Sequence, residues 1–223
     1  MLSIKENLLR LKKTLPPHVT LVAVSKTKPV EQLMDAYDAG QRDFGENYVQ
    51  ELTDKEKVMP KDICWHFIGH LQSNKVKYIA PFVYLIHGVD SLKLLREINK
   101  QGEKNKKVIN CLLQVYIAKE ESKFGFDKNE ISDLLDSGSL MELKYVSVKG
   151  LMGMASNVNS EKTVSEEFTD LAYFFNWLKQ KETENFQMLY LSCGMSSDYK
   201  LAIAAGSNML RIGSSIFGER NYQ

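Results

Sequence analysis

Cysteine is scarce in this chain. Cys64, Cys111 and Cys193 are odd in number, widely spaced and set in apolar, strand-like runs, which argues against a disulfide framework and for reduced thiols in a reducing compartment. Long apolar runs are also missing. No stretch approaches the roughly 20 residues of a membrane span, and the start, MLSIKENLLRLKKTL, alternates charges with leucines where a signal peptide would carry an apolar core and a small-residue cleavage site. Neither sign of charge is in excess: 29 Lys plus Arg against 28 Asp plus Glu leave a formal net charge of +1, and no basic stripe interleaved with aromatics is present to track a phosphate backbone. No Pro- or Gly-rich linker, low-complexity segment or short repeat divides the chain. These absences predict a cytoplasmic chain of one domain, residues 1–223, with neither nucleic acid nor a membrane as partner. Hydrophobic residues at 43% suffice for one sizeable core.

What is present alternates. Ser3 to Leu15 carries Ile4, Leu8, Leu11 and Leu15 at helical spacing and stops before Pro16-Pro17. β-like runs then follow at 21–24, 43–45, 64–68, 83–86, 108–117, 144–152, 188–191 and 209–212, separated by helical patterns at 30–39, 48–58, 74–80, 92–101, 128–136, 161–181 and 199–205. Eight βα units in 223 residues predict an α/β fold, a (β/α)8 TIM-type barrel with an extra N-terminal helix; an open doubly wound sheet is the competing arrangement. Phe168, Leu171, Phe175 and Leu178 form a stripe that predicts packing against the barrel.

In a barrel the site sits where strands end. The run Leu21-Val22-Ala23-Val24 is rich in β-branched residues and delivers Lys26 at its C-terminal end. An amine beside apolar surface and a second cation, Lys28, gives up its proton more readily and becomes a nucleophile toward aldehydes. The plainer reading makes both lysines solvated charges bounding a strand. Two further strand ends, SCGMSSD (192–198) and RIGSS (211–215), are small and polar, so that backbone N–H groups can approach an anion at the usual phosphate position of barrels, after strands seven and eight. The Lys26 and phosphate combination by itself also allows a Schiff-base aldolase on a phosphorylated sugar. His66 and His70 stand four apart without the adjacent Glu of a zincin helix, and on a strand and turn that spacing does not put both imidazoles on one face, so a metal site is not expected. His66 is read as a barrel-interior or ring-neighbouring residue; His18 and His87 read as incidental.

The motifs VAVSKTKP, FGENYVQE, WHFIGHLQSNK, LSCGMSSDY and AAGSNMLRIGSSIFGER resemble, in order and over nearly the whole chain, those of the pyridoxal phosphate homeostasis proteins, single-barrel relatives of the alanine racemase N-terminal domain. The resemblance implies pyridoxal 5′-phosphate held as a Schiff base on Lys26. It implies a phosphate held by Ser196, Gly213 and Ser214, Arg211 facing the pyridine nitrogen, and Asn47 and Ser192 near the cofactor. It further implies a monomer that buffers the cofactor and delivers it to apo-enzymes. Tyr116 stands where the family commonly has Asn, and Cys193 where it has Met or Leu; the first is expected to reshape the space above the ring.

An Arg at the pyridine nitrogen keeps that nitrogen unprotonated and the ring a poor electron sink. Racemases with this arrangement use a second base, a partner subunit's Tyr supplied across an additional β domain, and here the chain ends at Gln223 directly after the eighth βα unit. The expectation is a carrier with little or no turnover; the alternative is a racemase-like enzyme using Tyr116 or Tyr199 as second base.

Overall fold

Residues 2–117 and 125–219 are described by a computed structural model; residues 118–124 of the QVYIAKEESKFG stretch lie outside it. The eight β-like runs form β1 (Thr20–Val24), β2 (Asp43–Glu46), β3 (Cys64–Phe67), β4 (Leu85–Val89), β5 (Ile109–Val115), β6 (Val146–Gly153), β7 (Phe186–Ser192) and β8 (Met209–Ile212). All pair in parallel, each with its sequence neighbours, and β8 closes on β1 with Val22 opposite Arg211. The open sheet is thereby excluded and the fold is a (β/α)8 barrel. Ahead of it stands α1 (Ile4–Thr14), begun by a capping box between Ser3 and Glu6. Around it run α2 (Val30–Asp38), α3 (Val49–Val58), α4 (Val76–Ile79), α5 (Leu92–Asn105), α6 (Lys128–Asp136), α7 (Glu161–Leu178), α8 (Tyr199–Ala204) and α9 (Ser214–Phe217). Among the described residues, no helix is long and apolar enough to cross a membrane.

Strand alternation sorts side chains between two cores. Outward residues such as Trp65, Phe67, Ile86, Leu191, Leu210 and Ile212 pack against the helices, where Phe168, Leu171, Phe175 and Leu178 of α7 are buried as the stripe predicts. Each such side chain contributes about 1.5–3 kcal/mol on burial. Inward residues Val22, Leu85, Leu112, Met152 and Met209 form a separate lumen cluster. Two residues beyond Leu85 and Met209 on the same strands come His87 and Arg211, so the lumen turns polar toward the C-terminal face.

One boundary matters for function. Periodicity ends the fourth strand at Ile86, but β4 runs on through His87 and Gly88. A side chain at Gly88 would meet the Gly69 carbonyl oxygen at 2.5 Å; the glycine is there for close backbone approach inside the strand, not to end it.

Candidate functional site

At the C-terminal face a cavity of about 730 Å³ is lined by Val24, Lys26, Lys28, Asn47, Ile68, Met154, residues 195–197, Arg211, residues 213–215, Gly218 and Glu219. Six of the seven residues expected at the cofactor, Lys26, Asn47, Ser196, Arg211, Gly213 and Ser214, therefore meet on one wall system. The seventh, Ser192, is fully buried and joins the cavity wall through Arg211, whose Nη1 donates to the Ser192 hydroxyl and carbonyl oxygens, each at 2.7 Å.

Lys26 rides on a turn whose two flanks are clamped. Lys55 of α3 donates from Nζ to the Ser25 carbonyl at 2.8 Å, to Glu46 Oε1 at 2.7 Å and to Glu51 Oε1 at 2.6 Å. Glu51 Oε1 also accepts the Thr27 N–H at 2.6 Å, and the Ser25 hydroxyl donates to Glu46 Oε1 at 2.6 Å. Burial pushes the Glu46 carboxyl up to about 7 against the pull of Lys55 and Ser25. The Glu51–Lys55 pair is legible as an i,i+4 match; its service to residues 25 and 27 is not, because it crosses from α3 to the loop after β1.

Lys28 corrects an expectation. Its ammonium donates to the carbonyls of Phe217 at 3.1 Å and Glu219 at 2.9 Å, strapping the first loop to the end of α9. It is neither a solvated charge nor placed solely as an electrostatic neighbour of Lys26.

On the opposite side the loops after β7 and β8 meet. The Ser215 N–H approaches Ser196 Oγ at 3.5 Å, and Gly213 is where an added Cβ would come within 3.1 Å of the Val24 carbonyl oxygen. Arg211 is buried, its Nη2 donating to the Gly153 carbonyl at 3.0 Å. Among the described residues no carboxylate pairs with it. Burial lowers its pKa, yet a guanidinium stays cationic at any physiological pH.

The two histidines of the HxxxH spacing part company. His66 is buried in the lumen, whereas His70 is 52% exposed and lies 3.2 Å from Asp90. His87 is not incidental: fully buried, it bridges His66 and Ser192. A histidine inside an apolar run, followed by glycine, was the only trace it left in the sequence. Tyr116 is absent from the described lining residues, and Tyr199 lines a neighbouring cavity. Cys193 is buried in the outer core, with burial pushing its thiol up to about 11; Met or Leu would fill the same apolar position.

Residues 2–221 match the family described as alanine racemase, N-terminal domain. A pyridoxal phosphate homeostasis protein of Schizosaccharomyces pombe is 44% identical over 205 residues, 91% of this chain and 85% of its own. Among solved structures, PipY of Synechococcus elongatus superposes with a TM-score of 0.90 at 35% identity, covering 97% of this chain and all of PipY; its form with pyridoxal phosphate bound gives 0.87. The alanine racemase of Bartonella henselae, 17% identical with a TM-score of 0.74, shares the fold over 58% of its length. On the barrel, the ordered motifs and these identities, the chain belongs to the pyridoxal phosphate homeostasis protein family.

Proposed function

We propose that this chain is a pyridoxal 5′-phosphate binding protein of cofactor homeostasis, holding the cofactor covalently on Lys26 with little or no turnover. The observation that carries the reading is the convergence on one cavity of a clamped lysine, a Ser-Gly cradle and a buried guanidinium. The residues fit the group. Asn47 Oδ1 is buried without a hydrogen-bond partner among the described residues, as an acceptor awaiting a ligand donor would be. Arg211, held by oxygens of Ser192 and Gly153 with no carboxylate paired to it among the described residues, can offer a donor to a neutral ring nitrogen. Gly213 lets the loop after β8 lie close against Val24, where a Cβ would crowd the carbonyl oxygen at 3.1 Å. The structure of PipY with pyridoxal phosphate bound supports the same assignment.

When bound, the cofactor supplies an aldehyde that condenses with a primary amine. Lys26 would be the amine; Ser196, Gly213 and Ser214 would hold the phosphate; Arg211 would offer a donor to the ring nitrogen without protonating it. The lining favours a carrier over a racemase, since the described lining residues include no tyrosine, histidine or cysteine to act as second base, Lys28 is engaged by two carbonyls, and the one carboxylate among them, Glu219, is exposed to solvent. Delivery to apo-enzymes, action as a monomer and a cytoplasmic setting, in keeping with three free thiols, complete the proposal.

Absorption spectroscopy with added pyridoxal phosphate, then borohydride reduction and peptide mapping, tests it. Visible absorption, a pyridoxyl group mapping to Lys26 and loss of both in Lys26→Ala are expected. A colourless protein that takes up no pyridoxal phosphate overturns the assignment in favour of an aldolase, and brisk turnover of an amino acid overturns the carrier role.

A further inference from the structure

A hydrogen-bonded chain crosses the barrel lumen from one face to the other. It begins at Asp43, the first residue of β2, whose side chain is 31% exposed and which lines a second cavity of about 460 Å³ at the N-terminal face. Asp43 Oδ1 lies 3.1 Å from His66 Nε2, His66 Nδ1 lies 2.9 Å from His87 Nε2, and His87 Nδ1 lies 3.1 Å from Ser192 Oγ. Arg211 Nη1 then donates to Ser192 Oγ at 2.7 Å. Both imidazoles and Ser192 are wholly buried.

With Asp43 ionised and the imidazoles neutral, one proton arrangement makes every link a hydrogen bond. Asp43 can only accept, so His66 carries its proton on Nε2 and presents a bare Nδ1. His87 must then donate from Nε2 and presents its own bare Nδ1. The Ser192 hydroxyl must donate to that nitrogen, and its oxygen is left as an acceptor for Arg211. A charge on the far face thus decides which way a hydroxyl points beside the binding cavity, and aligned hydrogen bonds of this kind strengthen one another in a low-dielectric interior.

We propose that His87 and His66, oriented by Asp43, are positioning residues that hold Ser192 as an acceptor and thereby fix the Arg211 guanidinium at the cavity wall. The orientation of Arg211 toward a ring nitrogen rests on the pyridoxal phosphate reading; the chain itself does not. The charged and titratable groups around it are Asp43 and Tyr84 beside His66, Tyr190 of β7 and Cys64 of β3 next to Tyr84, and Arg211 beyond Ser192. A cationic His87 would turn a second donor against Ser192 and set a charge near Arg211; burial, His66 and Arg211 all push its pKa well below the ordinary value.

The test has two arms. In long-range ¹⁵N NMR of the histidine-labelled protein without added ligand at neutral pH, His66 and His87 should both be neutral with the proton on Nε2; a proton on Nδ1 of either overturns the proposal. In the second arm, pyridoxal phosphate uptake is titrated in His87→Phe and His87→Asn. Phe removes the acceptor for Ser192 and should weaken binding about tenfold, with a shifted visible absorption band, while Asn, whose amide oxygen can take the place of Nδ1, restores most of both. Equal uptake and spectra in Phe and wild type overturn the proposal. If wild type takes up no pyridoxal phosphate, the binding reading fails and the tautomers alone decide the chain.

Discussion

The backbone N–H of Thr27 donates to Glu51 Oε1 at 2.6 Å while Thr27 itself sits at φ 63°. A β-branched residue in the left-handed region costs on the order of 1–3 kcal/mol and persists only where its surroundings impose it. Here a charge-assisted bond supplies the constraint, and with Lys55 on the Ser25 carbonyl it fixes both neighbours of Lys26. Glu51→Ala is therefore expected to lower stability by about 1–2 kcal/mol in urea denaturation and to slow covalent attachment at Lys26. Thr27→Gly in that background should recover part of the loss, because glycine adopts this conformation freely. Absence of any recovery would mean that the turn is not held against strain.

Much of this arrangement was legible in advance, for reasons that also mark where legibility stops. The runs at 21–24 and 209–212 read as strands because parallel barrel strands are buried on both faces, and the Gly-Ser clusters read as an anion cradle because they follow the last two. The apolar periodicity of the fourth strand stops at Ile86, and the His-Gly that follows resembles punctuation, which hides His87 from a reading of the lumen. The Lys55 clamp and the Lys28 strap were hidden for another cause. Both join residues far apart in sequence, and a lysine that will be buried or engaged by carbonyls has the same letter as a solvated one.

Gly69 tests how closely the site depends on backbone contact. A Cβ there would collide with the Asn47 carbonyl oxygen and stand 2.9 Å from the Asn47 Cα and 3.0 Å from its carbonyl carbon. Backbone cannot swing aside as a flexible side chain can, so Gly69→Ala should cost about 1–3 kcal/mol of stability. Displacement of Asn47 should also weaken pyridoxal phosphate uptake. Gly138→Ala serves as the control: at φ 71° with nothing within 4 Å of the added carbon, it should cost only about 1 kcal/mol and leave uptake unchanged. Equal effects from the two would remove the special role given to the Gly69–Asn47 contact.

Glu46 gives the clamp a pH dependence whose sign follows from its surroundings. Its side chain is wholly buried, Oε2 has no hydrogen-bond partner among the described residues, and burial raises its pKa from 4.5 to about 7 despite Lys55 and Ser25, with Glu51 adding to the rise. A carboxyl raised on folding binds more protons folded than unfolded between those values. Its contribution to stability is thus fully present below about 4.5 and lost as pH climbs through about 7, with a slope of at most about 1.4 kcal/mol per pH unit. Glu46→Gln keeps an acceptor for Ser25 and Lys55 but cannot titrate. Urea midpoints measured in steps from pH 5 to 8 should show the variant gaining on wild type as pH rises, and levelling above about 7. A constant difference would mean that Glu46 does not titrate in this window. The same constant difference is expected if Lys55 holds the pKa below 4.5, since such a carboxyl titrates beneath this window and the buried pair is then an ion pair throughout.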